Sequence, residues 1–444
     1  MTKSAHQTMK FSLKNAFLLL TCTLLISFTL TIASKVVKLD DIKVSISGIS
    51  SGGFQSVQLG TAYSRLISNV GVIAGGVYNA AQNNVATALT IMDYPEYISL
   101  PLIHSQMSTY LGLQYIDNPQ FLSNQRNYIF CGTRDTTVNP RNSLILDQFY
   151  SKYHTETKVV NDIPSEHAFL TIKPTPHECG YKGSPFINNC NFDLLTDMFE
   201  YFFPKQQIQP PIDAITSNLH QLDQFLFIPP QYKAFLFTNG IQRRSYVYIP
   251  QGCEKDILSK SLFQVLKYSQ QRVDESATPG PQQRAFEQLR ERLWVNSTLY
   301  TYFNGTTVDS DTNVIYNQND HNGNHHNDHH QIDPYESFED LVKKQQQIPK
   351  NEQKCKVHIA LHGCKQTLDH IGVEFLTSTG YLEIAESNNI IVLFPQASMT
   401  VLNPNGCWDW WGFSTPLYAT RFGVQPMTIL NQAITLAAMI NEPR

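Results

Sequence analysis

Residues 42–53 read Ile-Lys-Val-Ser-Ile-Ser-Gly-Ile-Ser-Ser-Gly-Gly. Apolar Ile42, Val44 and Ile46 alternate with polar residues, which predicts a short β-strand. The stretch then fits the pattern Gly-x-Ser-x-Gly around Ser50, and the residues that follow begin like a helix. A strand, this pattern and a helix in succession are typical of a nucleophile elbow, a sharp turn that only small neighbouring residues allow. The alternative is an ordinary turn rich in glycine and serine.

A catalytic serine needs a general base, and that base needs an acid to orient it. In α/β-hydrolases the acid and then the histidine follow the serine, on loops after strands. Asp135 follows a predicted apolar strand, and His167 lies in the loop after the next predicted strand. We therefore predict a triad of Ser50, Asp135 and His167. Asp162 and His177 are the alternative acid and base, and an Asx-turn and a surface histidine are the structural alternatives.

Ester hydrolysis also needs N–H donors for the developing oxyanion. One is expected from Ser51, the residue after the nucleophile. The second normally comes from a loop that precedes the elbow, and no such segment precedes Ser50. A matching His-Gly-Cys segment occurs at residues 362–364, near the other end of the chain. If it completes the oxyanion hole, the fold is circularly permuted, which is tolerable because domain termini often lie close together.

The remaining pattern predicts the fold class. Strands alternate with helices, as expected for an α/β fold with a mostly parallel sheet and helices on both faces. The chain has 444 residues, of which 42% are hydrophobic, enough for a large core. Residues 254–354 are polar and of low complexity, and we predict a surface insertion there. A net charge of −4 gives no electrostatic case for binding nucleic acid or an anionic membrane.

The N-terminus predicts entry into the secretory pathway. Lysines precede an apolar run over residues 16–32, and small residues end it, so residues 1–33 are predicted to be a signal peptide. An uncleaved anchor is the alternative, because the run is long. Two glycosylation sequons, at Asn296 and Asn304, agree with that route, to the outside of the cell or the lumen of the endomembrane system. Residues 34–444 are then the catalytic domain.

The cysteines and histidines allow further predictions. Eight cysteines are present, and removal of Cys22 with the signal leaves an odd number, so at least one is unpaired or intermolecular. Cys131 lies within a predicted strand and is the expected buried free thiol. A polar run explains the five histidines between residues 321 and 330 better than a metal site does. The chain shows no metal or phosphate motif, so no cofactor is implied.

These motifs resemble those of the secreted single-domain fungal polyhydroxybutyrate depolymerases, which have a circularly permuted α/β-hydrolase fold. The resemblance rests on blocks in the same order along most of residues 42–253 and 355–435. They include Ser47–Gly53, Asp135–Val138, His167–Phe169, Ile187–Asn191, Tyr246–Cys253, Ala360–Cys364, Phe394–Ala397 and Asn403–Trp410. The insertion, the segment from Tyr78 to Asn127 and the short stretch between Gln396 and Asn403 depart from the family pattern.

The resemblance implies roles for individual residues. It implies Ser50 as nucleophile, Asp135 as acid, His167 as base, and the amides of Ser51 and Cys364 as the oxyanion hole. It suggests three disulfides, which are Cys179–Cys190, Cys253–Cys355 and Cys364–Cys407. It also favours a substrate-binding role for at least one tryptophan in the loop that contains Trp408, Trp410 and Trp411, which otherwise form an aromatic cluster beside a disulfide.

The sequence thus predicts a secreted serine esterase acting on poly(3-hydroxybutyrate) or short hydroxyacid oligomers. The alternative is a carboxylesterase acting on small or plant-wall esters, such as feruloyl or acetyl esters. A non-catalytic secreted binding protein is the rival from another class, and the presence of Ser50, Asp135 and His167 together argues against it. No specific protein partner is implied.

Overall fold

The structure is a computed structural model, and it describes residues 42–229, 231–232, 238–257 and 355–440. The predicted signal peptide, the sequons at Asn296 and Asn304, the histidine cluster and residues 258–354 of the predicted insertion lie outside the described residues. No helix within the described ranges is long and apolar enough to cross a membrane.

One large sheet organises the described chain. Its eight strands are β1 (Val44–Ile49), β2 (Ile67–Ile73), β3 (Arg126–Phe130), β4 (Glu156–Val160), β7 (Leu219–Asp223), β8 (Arg244–Tyr248), β9 (Lys356–Leu361) and β10 (Ile390–Phe394). Two short strands, β5 (Phe169–Leu170) and β6 (Ile187–Asn188), pair separately.

Helices connect these strands. The described ones are α1 (Ser51–Ala62), α2 (Val85–Asp93), α3 (Leu100–Gly112), α4 (Arg141–Ser151), α5 (Leu194–Phe202), α6 (Gln251–Ile257), α7 (Leu368–Ile371), α8 (Glu374–Ser378), α9 (Tyr381–Asn388) and α10 (Val424–Ile440). Short 3-10 turns occur as well, one of them at Gln224–Phe227.

The strand order is β4-β3-β2-β1-β9-β10-β8-β7. The six strands from β4 to β10 run parallel, and β8 is antiparallel to both of its neighbours. The predicted mostly parallel sheet is therefore confirmed. β1, the strand of the elbow, lies between β2 and β9, although β9 comes from near the other end of the chain. A circularly permuted fold is expected to place its first strand beside a strand from late in the chain, as β1 lies beside β9 here.

Apolar clusters cover both faces of the sheet, as expected for a parallel sheet. Val44 and Ile46 of β1 contribute to the cluster under α1 and α10, and Ile49 contributes to the cluster under α5 and α9. Successive side chains of a strand point to opposite faces, which explains this division. The sheet is thus fixed on both sides, and its strand ends are rigid platforms for loops.

The polar residues of β1 are buried rather than exposed. His358 of β9 is hydrogen-bonded to both serines: its Nδ1 lies 2.8 Å from Oγ of Ser45, and its Nε2 lies 2.7 Å from Oγ of Ser47. Ser47 Oγ also lies 2.6 Å from the hydroxyl of Tyr381. Complete burial lowers the pKa of His358 to about 3, so the ring is neutral at physiological pH. The alternating pattern of β1 therefore reflects an apolar face and a hydrogen-bonded face, both buried.

The sequence over residues 225–237 is rich in residues that favour strands, yet β7 ends at Asp223 and a 3-10 turn follows it. The carboxylate of Asp223 accepts a hydrogen bond from the amide of Phe225 at 3.1 Å, which caps the turn and ends the strand. Residues 233–237 lie outside the described residues.

The described cysteines form the three pairs that the resemblance suggested, which are Cys179–Cys190, Cys253–Cys355 and Cys364–Cys407. Cys131 is free and buried. Burial raises the pKa of its thiol to about 12, so it is not a reactive thiolate.

Candidate active site

The turn after β1 has the geometry of a nucleophile elbow. β1 ends at Ile49, α1 begins at Ser51, and Ser50 between them has φ 57° and ψ −121°. Positive φ is uncommon for a residue other than glycine and marks a strained turn. The amide of Ser50 donates to the carbonyl of Ile73 on β2 at 2.9 Å, which helps to hold the turn. The serine side chain therefore stands at the carboxyl edge of the sheet.

The flanking glycines are required by close backbone contacts. A Cβ on Gly48 would lie 2.4 Å from the carbonyl oxygen of Gly52. A Cβ on Gly52 would lie 2.5 Å from the carbonyl oxygens of both Leu361 and His362. Real Cβ atoms do not approach backbone so closely. A larger residue at Gly48 would therefore disturb the elbow itself, and one at Gly52 would push the elbow away from the end of β9.

The structure brings Asp135 and His167 together. Nδ1 of His167 donates to Oδ2 of Asp135 at 2.7 Å, because an ionised carboxylate can only accept. The side chains are 1% exposed for Asp135 and 6% exposed for His167. The other oxygen of Asp135 accepts from the amides of Thr137 and Val138, both at 2.8 Å. The carboxylate is therefore fixed on one side by the backbone and on the other by the imidazole.

This pairing leaves Nε2 of His167 as the basic nitrogen. His167 and Ser50 line the same cavity, although their side chains are not hydrogen-bonded to each other within the described structure. In ligand-free active sites the bond between nucleophile and base is often long and tightens when substrate binds. Of the predicted triad, Ser50 and His167 thus line one cavity, and Asp135 is hydrogen-bonded to His167.

Glu166 joins the acid loop to the base loop. Its carboxylate accepts from the amide and the hydroxyl of Thr136, at 3.1 and 2.6 Å, and from the amide of His167 at 2.9 Å. Partial burial acts to raise the pKa of Glu166, but these hydrogen bonds and the nearby Lys182 ammonium outweigh it and lower the pKa. An ionised Glu166 therefore fixes the loop that carries Asp135 relative to the loop that carries His167.

The loop after β9 lies against Ser50. A Cβ on Gly363 would lie 3.2 Å from the Cβ of Ser50. The amide of Gly363 is already used, since it donates to Oε1 of Gln366 at 2.7 Å. The amides of Ser51 and Cys364 have no hydrogen-bond acceptor among the described residues, and both residues line the cavity. These two N–H groups are available to an oxyanion.

His362 shapes that loop. Its Nε2 accepts from the amide of Ala397 at 3.1 Å, so Nδ1 carries the proton and donates to the carbonyl of Gly363 at 2.7 Å. Complete burial lowers the pKa of His362 to about 4, which keeps the ring neutral. The Cys364–Cys407 disulfide then ties the loop to the tryptophan-rich segment. The peptide that carries the Cys364 amide is therefore held from both sides.

The cavity has a volume of about 440 Å³. Trp410 and Trp411 line it, and Trp410 stacks on Phe54 of α1 with ring centroids 4.0 Å apart. Val85 and Leu89 of α2 also line it. A mostly apolar cavity with a few polar groups is typical of a binding site for a small organic molecule.

Trp408 does not reach this cavity. It is 1% exposed and packs against the ring of His362 with centroids 5.3 Å apart. Its backbone N–H donates to the hydroxyl of Ser51 at 3.2 Å. Of the three candidate tryptophans, the structure therefore brings Trp410 and Trp411 to the cavity and places Trp408 in the core, against His362 of the loop after β9.

The alternative acid and base lie elsewhere. Asp162 is exposed, and His177 stacks on Tyr181 with ring centroids 4.3 Å apart. Neither residue lines the cavity. Sequence reasoning missed Glu166 and Gln366, whose roles depend on loops that meet only in three dimensions. The position of Glu166 directly before His167 was the one local signal available.

No group of three or more His, Cys, Asp or Glu side chains in the described ranges is placed to hold a metal ion.

The chain is similar to two curated proteins. A poly(3-hydroxybutyrate) depolymerase of Delftia acidovorans is 25% identical over 396 residues, which are 88% of this chain and 59% of that protein. A polyhydroxybutyrate depolymerase of Talaromyces funiculosus is 25% identical over 412 residues, which are 88% of each chain. The chain thus spans about three fifths of the bacterial relative and most of the fungal one. No protein-family model matches the chain.

Solved structures give the same fold. The crystal structure of the PHB depolymerase from Penicillium funiculosum matches with a TM-score of 0.59 and 23% identity, over 91% of this chain and 99% of that chain. A serine-to-alanine variant of a PHB depolymerase, solved in complex with an R3HB trimer, matches with the same values. The resemblance inferred from the sequence is therefore confirmed: the chain is similar to polyhydroxybutyrate depolymerases along most of its length and has the α/β-hydrolase-like fold of the solved fungal structure.

Proposed function

We propose that the protein is a serine esterase that hydrolyses poly(3-hydroxybutyrate) or short hydroxyalkanoate oligomers. The observation that carries the proposal is the Asp135–His167 hydrogen bond of 2.7 Å, formed at the same cavity as a strained elbow serine. A histidine that is hydrogen-bonded to a buried aspartate can act as a general base, and the elbow serine at the same cavity can act as its nucleophile.

The mechanism follows from these positions. Ser50 attacks the ester carbonyl while Nε2 of His167 takes its proton, and Asp135 stabilises the resulting imidazolium. The amides of Ser51 and Cys364 donate to the oxyanion. His167 then gives the proton to the leaving alcohol, and water hydrolyses the acyl-enzyme on Ser50 by the same steps in reverse order.

The choice of substrate rests on the relatives and on the cavity. Both curated relatives are named as depolymerases of polyhydroxybutyrate. The rings of Trp410 and Trp411 supply flat apolar surface beside the elbow, which suits an aliphatic polyester chain with methyl branches.

We also propose that residues 34–444 form one secreted catalytic domain. Three disulfides within the described ranges support passage through an oxidising compartment. The Cys253–Cys355 bond brings the two ends of the polar insertion within 5.9 Å between Cα atoms, so the insertion need not disturb the sheet.

Hydrolysis assays test the proposal. Purified protein and its Ser50→Ala variant are compared on p-nitrophenyl butyrate, on a polyhydroxybutyrate suspension and on feruloyl and acetyl esters. We expect the wild type to clear the suspension and to cleave the butyrate ester, and the variant to do neither. Activity confined to feruloyl or acetyl esters would support the alternative carboxylesterase. Lack of activity on every ester would support a non-catalytic binding protein.

A further inference from the structure

The charged side chains that line the active-site cavity have one sign. Among its described lining residues, Lys182 and Lys365 are the cationic side chains, and none is Asp or Glu. The rest of the lining is apolar or neutral, apart from the catalytic His167. An interior repeat of a polyester carries no charge, so these ammonium groups have no partner in it.

The two lysines differ in how far they are already engaged. Nζ of Lys182 donates to the hydroxyl and the carbonyl of Thr136, at 2.7 and 3.2 Å. Its charge also interacts with Glu166. Lys182 therefore belongs in part to the network that holds the catalytic loops.

Lys365 is not engaged in this way. It is exposed, and its ammonium forms no hydrogen bond or ion pair with any described residue. The residue before it is Cys364, whose amide we assign to the oxyanion hole. Lys365 thus directly follows the proposed oxyanion donor in the chain and lines the same cavity, and its ammonium is unpaired among the described residues.

The backbone holds Lys365 firmly. Its φ is 60°, in the left-handed region that glycine or asparagine normally occupies. Its amide donates to the carbonyl of Asn405 at 2.8 Å, and the Cys364–Cys407 disulfide fixes the neighbouring residue. A strained conformation held by its surroundings is the kind of feature that clusters at ligand sites.

We propose that Lys365 binds the free carboxylate at the end of a hydroxyacid oligomer, so that the site prefers acid-terminated oligomers to ester-capped ones. This inference rests on the proposed function, because it names the substrate form that the same cavity selects. Every uncapped hydroxyacid oligomer carries a carboxylate at one end, and an ammonium is complementary to that anion. Lys182, on the same cavity, adds to the positive potential.

Binding to a hydrolytically inactive protein tests the proposal directly. Calorimetry on the Ser50→Ala variant compares a 3-hydroxybutyrate trimer acid with its methyl ester. We expect tighter binding of the acid, and we expect Lys365→Met to reduce the ratio of acid to ester affinity about three- to tenfold, as for a partly exposed charge pair. High salt should reduce the same ratio, because it screens exposed charges.

The control is Lys205→Met, which removes the same charge from an exposed residue outside the cavity lining. Equal affinity for acid and ester, or a ratio that survives Lys365→Met, would overturn the proposal. A ratio that falls with Lys182→Met instead would overturn the assignment to Lys365. Failure of the proposed function is separate: a wild type that binds the acid preferentially but hydrolyses no oligomer refutes the esterase and leaves the carboxylate site standing.

Discussion

Replacing Asp135 by asparagine distinguishes two roles of this residue, that of the acid of a catalytic triad and that of a cap for a turn. Oδ1 of Asp135 accepts from the amides of Thr137 and Val138, and an asparagine oxygen can keep both bonds of 2.8 Å. Oδ2 accepts from Nδ1 of His167 at 2.7 Å, and the asparagine NH₂ that replaces it can only donate. The turn therefore survives the change, while the imidazole loses its acceptor.

The expected loss of activity is large. Facing a donor, Nδ1 of His167 must accept, so the proton moves to Nε2 and the ring can no longer take the proton of Ser50. A wrong tautomer in a triad of this kind lowers kcat by about 10⁴. That factor corresponds to about 5.5 kcal/mol of transition-state stabilisation.

The assay is kcat/KM for p-nitrophenyl butyrate at neutral pH, together with the thermal unfolding midpoint. We expect Asp135→Asn to lose at least about a thousandfold in kcat/KM while unfolding within a few degrees of the wild type. The matched control is Asp162→Asn, at the exposed aspartate that was the alternative acid. A loss of less than tenfold in a folded Asp135→Asn variant would show that Asp135 only caps a turn.

Three further predictions concern the supports of the site. Glu166→Gln removes the charge that joins the two catalytic loops, and we expect kcat to fall about three- to tenfold with less change in KM or stability; an equal change in all three would indicate a merely structural role. Gly52→Ala forces a methyl group against backbone carbonyls, and denaturant unfolding should show a loss of about 1–3 kcal/mol. Gly112→Ala, where a Cβ meets nothing within 4 Å, is the control and should be neutral or stabilising. Finally, burial lowers the pKa of His358 to about 3, so the unfolded state takes up its proton near pH 6.5 and the folded state does not. His358 alone should therefore raise the unfolding equilibrium constant by up to about tenfold per unit as pH falls from 6.5 toward 3, and His358→Gln should make the measured dependence shallower by up to that amount. The same pH dependence of unfolding in wild type and a folded His358→Gln variant would contradict this prediction.

The local pattern predicted the elements that position the site. Ile42, Val44 and Ile46 indicated β1, and the glycines around Ser50 indicated the elbow, because both features are properties of neighbouring residues. The order of Ser50, Asp135 and His167 was readable for the same reason, since each follows its own strand. The end of β7 at Asp223 was not predicted, and there the side chain of Asp223 accepts from the amide of Phe225 and caps the turn that follows.

The sequence by itself thus determined the α/β class, the elbow and the residues of the candidate triad, all of which depend on local periodicity and order. Only the tertiary structure decided which partners those residues meet. The alternation in β1 could not reveal that Ser45 and Ser47 are buried against His358, because that residue lies on a strand from the other end of the chain. The same holds for the loop after β9, which lies beside Ser50, and for Lys365 in that loop, whose ammonium has no partner in the described part of the chain. Contacts between segments remote in sequence arise from packing, and packing has no local signature.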